Sequence, residues 1–284
     1  MSEDWQFCFF VKGLVAPEEG ITLGDMKIFG IPPSDDASIF FKASTKPERD
    51  KDALRNELRN NLRNIAKVYG LISDTYVEVM SGSSTSKISS KLPFGDKNLC
   101  GHITSIPVFD EEQRRRDTPL IEKTITKYEV VKSIFQGKAK GFLRNAIDYY
   151  YRSLKDDKLE ERIIDLMISL ESLFSRESDE LGLRYSLRTT FLLGVGQDAE
   201  RPNIFKKVRA LYKKRSEVVH GTEDVKLEYE EISILQKYVR EAIKRLIHIE
   251  MSKENVLTLL DESVYDEEKR KCLNQIVTEA MKKW

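Results

Sequence analysis

Cysteine and histidine are scarce in this chain, and several familiar chemistries are excluded with them. The 284 residues hold three of each. Cys8, Cys100 and Cys272 are odd in number, far apart and without CxxC spacing. They read neither as a disulfide framework nor as a zinc site, and they suit a reducing cytoplasm. Three scattered histidines with no HExxH leave no basis for a His-rich metal site. The glycine-rich dinucleotide fingerprint, the P-loop and the GxSxG elbow are all missing. Neither sign of charge is in excess: Lys plus Arg and Asp plus Glu number 47 each. No global field draws the chain to nucleic acid or to a membrane, so any anion-binding surface must be local. No stretch approaches the ~20 apolar residues of a membrane span. The opening, MSEDWQFCFF, carries acids where a leader carries basic residues, and its apolar run breaks at Lys12. The expectation is a cytoplasmic chain with no membrane association, no metal and no cofactor.

What is present is 40% hydrophobic and 33% charged, enough apolar material for a real core. The texture changes near residue 136. Before it come short aromatic and β-branched runs, Trp5–Val11, Met26–Ile31, Ser38–Lys42, Thr75–Met80 and His102–Val108. Turn signals such as Pro17, Gly20, Pro32-Pro33 and Gly82 separate them. One helix interrupts, from about Glu48 to Tyr69, striped by Leu54, Leu58, Leu62, Ile65 and Val68, with Gly70 in the C-cap position. Ser81–Lys91 reads as a polar connector, a hairpin tip or a mobile loop, and Glu111–Asp117 as a charged break. The expectation for residues 1–136 is an α+β domain.

Residues 137–284 carry helical spacing throughout and predict an all-α bundle with a C-terminal helical extension. The helices fall at Ala139–Leu154, Lys158–Phe174, Gly182–Leu193, Pro202–Val219 and along Ile232–Leu246. Two shorter ones follow near Lys253–Leu260 and Tyr265–Lys282. Short connections make neighbours antiparallel.

Chemistry concentrates in the helix that ends IFKKVRALYKKRSEVVHG. Its apolar row, Ile204 or Phe205, Val208, Leu211, leads in steps of three or four to Arg215. A guanidinium on a core-facing row needs a partner or a purpose, although an arginine at the rim with its head in water fits the same spacing. His220 follows five residues later, about 140° away on a regular helix. If the helix ends near Val219, the following Gly221 lets the ring swing toward Arg215; a cleft between two protomers is the alternative. The simpler role for His220 is a cation at the helix C-terminus. Lys206, Lys207, Arg209, Lys213, Lys214 and Arg215 put six positive charges into ten residues, a basic face suited to phosphate or merely to solvent.

Four phrases in order resemble the HEPN superfamily, in its Apea-like branch. They are Ser169-Leu170-Glu171-Ser172-Leu173-Phe174, then Leu183-Arg184-Tyr185-Ser186-Leu187-Arg188 with Leu192-Leu193-Gly194, then Leu211-Tyr212 and the R-x4-H string Arg215 to His220. The resemblance covers about residues 138–250. It implies a helical bundle that dimerises and, in catalytic members, metal-independent RNA cleavage. By position, Arg215 and His220 match the catalytic pair, Ser216 the polar residue after the arginine, and Glu171 an acid placed to orient Arg215. RNA supplies its own 2′-hydroxyl nucleophile, leaving proton transfer and charge stabilisation to the protein. An imidazole, with a reference pKa of about 6.5, does the first, and a guanidinium does the second. Lys206, Lys207, Arg209, Lys213 and Lys214 are the expected RNA contacts. One motif histidine per chain serves acid and base together only if two chains meet, so a homodimer is expected. Some members only bind RNA or nucleotides, or serve as dimerisation modules. Thr222 stands where members controlled by AMP transfer carry tyrosine, so that control is not expected, and any regulatory partner is left open.

Overall fold

The computed structural model describes residues 3–12, 21–23, 26–31, 36–45, 51–87, 111–137, 140–176, 181–221 and 225–284. Two compact units divide the chain, Met1–Val130 and Val131–Trp284.

In the first unit, β1 (Glu3–Lys12), β2 (Ile21–Leu23), β3 (Met26–Ile31), β4 (Asp36–Thr45) and β5 (Glu78–Lys87) pair antiparallel in the order β2-β3-β4-β1-β5. Period-two alternation places Phe7, Phe9 and Val11 of β1 on one face, and all three are buried. In register they stand beside Phe41, Ile39 and Ala37 of β4. The serine-rich segment from Ser81 is strand up to Lys87, not a connector, and residues 88–91 lie outside the described residues. Backbone pairing recruits it: Phe7, Cys8 and Phe9 face Thr85, Ser84 and Ser83. Among the described residues β5 is the last strand of the sheet, a place that accepts polar side chains. His102–Val108 lies outside the described residues.

Helix α1 runs Lys51–Ser73, past Gly70. The left-handed residue at its end is Asp74 (φ 64°), whose N–H donates to the Gly70 carbonyl at 2.9 Å. Fully buried Leu71 keeps the helix going, and a glycine inside a helix costs only about 1 kcal/mol. The expected break at Glu111–Asp117 is likewise the start of α2 (Glu111–Gln136). Glu, Gln and Arg are good helix formers, so a charged run favours helix as readily as loop.

In the second unit the expected helices are all present: α3 (Gly141–Ser153), α4 (Leu159–Phe174), α5 (Leu181–Leu193), α6 (Arg201–Val219), α7 (Tyr229–Ile247), α8 (Lys253–Glu262) and α9 (Glu267–Lys282). They form a helical bundle. α3 packs on α4 and α5 on α6, with α7 against α3 and α4. Leu143, Ile147 and Tyr150 of α3 are buried, as are Ile163, Leu166, Leu170 and Phe174 of α4. So are Ile232, Leu235, Val239 and Ile243 of α7. Pro202 sits in the first turn of α6, where its missing N–H costs nothing. Side chains close the later helices: a Glu228/Glu231 capping box on α7, Ser252 on α8 and Asp266 on α9. Lys140, left-handed before α3, donates to the carbonyls of Ile247 and Ile249 at 3.1 and 2.8 Å, closing the end of α7. Among the described residues no helix is long and apolar enough to cross a membrane.

Candidate functional site

Helix α6 sorts its charges by angle. Ile204, Val208 and Leu211 are buried, and the same row continues to Arg215, whose side chain keeps only 21% of its exposure. Its Nη2 lies 3.4 Å from Oε1 of Glu171 on α4. Burial pushes the Glu171 carboxyl above its ordinary range, and the neighbouring guanidinium offsets part of that rise. Among the described residues the Arg215 Nε, itself buried, has no hydrogen-bond partner. The guanidinium is therefore oriented by Glu171 without being saturated.

Tyr185 of α5 closes this cluster. Burial pushes its hydroxyl up to about 12, and the Glu171 carboxylate adds to the rise, while a hydrogen bond with Ser175 and the Arg215 charge act the other way. At neutral pH it is a neutral O–H group, not a base. Its ring meets that of Tyr212 edge-on, with centroids 6.0 Å apart. The sequence names both tyrosines only within the phrases that carry the resemblance and not as site residues, because aromatic residues at helical spacing look the same in any core.

A raised carboxyl makes the native state hold a proton that the unfolded chain has already released. Glu171 therefore contributes stability in acid, and that contribution is lost as pH rises through its raised value. Urea midpoints measured across that window should fall with rising pH in the wild type and change less in Glu171→Gln. An unchanged slope would show that Glu171 is not the titrating group.

His220 stays on the helical spiral. Its backbone (φ −83°, ψ 3°) is close to helical, its N–H donates to the Ser216 carbonyl at 3.0 Å, and the left-handed turn comes only at Gly221 (φ 70°). The reversal follows the histidine instead of preceding it, so the backbone gives no turn toward Arg215, which leaves the cleft between two protomers as the other arrangement the sequence allows. Within one chain Arg215 turns toward α4 and His220 is exposed at the end of α6. Thr222 lies outside the described residues.

The basic face divides as well. Lys214 is committed elsewhere: its Nζ lies 2.6 Å from both carboxylate oxygens of Glu231 and 2.9 Å from the Lys226 carbonyl. It ties α6 to the start of α7 and is not the free RNA contact expected of it. Lys207 is half-buried and outside the groove described next. Lys206, Arg209 and Lys213 are exposed and share one face, although Lys213 also approaches Glu217 at 3.6 Å. With Ser216 they line a groove of about 710 Å³ between α5 and α6, whose other walls are Gly182, Leu183, Phe205, Ala210 and Tyr212.

Gly182, in the groove wall, lets the Tyr212 ring pack directly on α5. A Cβ at this position would stand 2.6 and 2.7 Å from two carbons of the Tyr212 ring. Gly182→Ala must displace the ring, at an expected cost of about 1–3 kcal/mol. Thermal denaturation should show the loss, and most of it should vanish in a Tyr212→Ala background. Equal losses in both backgrounds would place the strain elsewhere. Sequence inspection carries no sign of this contact, which joins residues of different helices.

Among the described residues no group of three or more His, Cys, Asp or Glu could hold a metal ion. Cys272 is free and exposed. Compared with models of protein families, with curated proteins and with solved structures, the chain gives no match.

Proposed function

We propose that two copies of the second unit make up a metal-independent endoribonuclease of the HEPN type, acting in stress response or defence in the cytoplasm. The N-terminal residues then form an α+β unit for sensing or targeting. The observation that carries this reading is the exposed His220 at the end of a cationic row, one side of the same helix holding a guanidinium oriented by Glu171. A single chain presents ring and guanidinium on different sides, so the reading requires a composite site built by a two-fold pair. In it one His220 takes the 2′-hydroxyl proton and the 2′-oxygen attacks phosphorus. The P–O5′ bond breaks, and the His220 of the second copy returns a proton to the leaving oxygen. Arg215 stabilises the charge gathering on the phosphoryl oxygens through its guanidinium charge. The products are a 2′,3′-cyclic phosphate and a 5′-hydroxyl.

The Glu171 pairing and the divergence of Arg215 from His220 favour one second reading, a non-catalytic module that binds RNA or nucleotides, or only dimerises. RNA incubated with the protein and EDTA separates them. Cleavage by the wild type, lost in a dimeric His220→Ala variant, supports the nuclease. Intact RNA with folded, dimeric wild type favours the binding module.

A further inference from the structure

The polar positions of the α5–α6 groove form one strip. Residues 206, 209, 213, 216 and 220 advance by three, four, three and four, which keeps them on a single side of a helix. Lys206, Arg209, Lys213 and Ser216 line the groove, and the helix-like backbone at His220 carries the strip on to the ring. From Lys206 to His220 the strip is about 21 Å long. None of the residues lining the groove is acidic, and beside the three cations stand two aromatic rings, Phe205 and Tyr212, with Leu183.

We propose that this groove binds a few nucleotides of unpaired RNA, with phosphates on Lys206, Arg209 and Lys213 and a base against Phe205, Leu183 and Tyr212, the strand running toward His220. Alternating cations and ring faces are the requirements for single-strand binding, in which every base offers a π-face and every linkage a charge. Inside a duplex the base faces are stacked on one another and out of reach of the rings. An acidic peptide would satisfy the cations and leave the rings without a flat partner. The proposal shares its ligand class with the nuclease reading but does not depend on cleavage.

The test uses the full-length chain carrying His220→Ala, so that RNA is not consumed, and a fluorescent single-stranded RNA of about eight nucleotides, within the size range of such sites. Arg209→Glu and Lys213→Glu should each weaken binding about tenfold and flatten its salt dependence, while Lys237→Glu, an exposed charge reversal on α7, should change it less than twofold. Phe205→Leu, which keeps an apolar side chain without a ring, should weaken it about fivefold or more. Duplex RNA of the same sequence should bind at least tenfold more weakly, and polyglutamate should compete poorly. Equal affinity for duplex, equal competition by polyglutamate, or equal losses in Lys237→Glu and the groove variants would each overturn the proposal, as would no RNA binding by the folded chain. Groove-dependent binding with no cleavage by the wild type supports the groove and removes only the nuclease reading.

Discussion

Asp261→Ala is expected to destabilise the second unit by about 3–5 kcal/mol, the cost of leaving a buried charge without its partner. Arg188 of α5 is 1% exposed, yet it is a cation. Its Nε and Nη2 donate to the two carboxylate oxygens of Asp261 on α8, each at 2.7 Å, and its Nη1 donates to the Phe174 carbonyl at the end of α4. One side chain thus joins three helices. Without Asp261 the guanidinium keeps one carbonyl and has no countercharge, since the nearby Arg176 and Lys253 add like charge. Urea denaturation followed by helical circular dichroism should show a midpoint lower by roughly 2 M. Arg188→Met combined with Asp261→Ala should recover most of the loss, because an apolar replacement of similar volume removes the need for a partner. A loss under 1 kcal/mol in the single variant would mean that water reaches the guanidinium.

His220→Ala should lower RNA cleavage by about a hundred- to ten-thousandfold, the range that a positioned proton-transfer group contributes. Position 220 caps a helix and is exposed, so the variant should keep the fold and the oligomeric state of the wild type, whichever that is. Exposure has a second consequence. Free imidazole reaches the vacated position, and added imidazole should restore part of the rate, which a purely structural histidine would not allow. Mass spectrometry of the products checks the chemistry, since the 2′-oxygen route leaves a cyclic phosphate. Cleavage undiminished in His220→Ala, or products ending in a 3′-hydroxyl, would remove this histidine from the mechanism.

The helices of the second unit were legible because their evidence is local. Apolar residues three and four apart, Pro202 at a start and Gly221 after an end describe each helix without reference to the others. The same local reading misplaced the end of α1, the nature of Ser81–Lys87 and the start of α2. In each case a distant demand or a neutral propensity outweighed a punctuation signal: the burial of Leu71, pairing with β1, and the helix tolerance of charged residues. At the candidate site the reading of Arg215 as a buried-row cation with Glu171 beside it agrees with the geometry. The assignment of Lys214 to the free basic face does not, because its partner Glu231 lies 17 residues away and belongs to the next helix.

Sequence by itself determined where the helices of the second unit run, which rows they bury, and that cations crowd onto α6. Those properties follow from steric preference and periodicity along one segment. Tertiary structure alone decided what the cations are for. Lys214 became a tie to α7, Arg188 the buried junction of three helices, Arg215 a guanidinium oriented by Glu171, and Lys206, Arg209 and Lys213 the polar side of a groove in whose wall Tyr212 packs on Gly182. A charge interacts through space with whatever folding brings within a few ångströms, and spacing along the chain does not encode that distance.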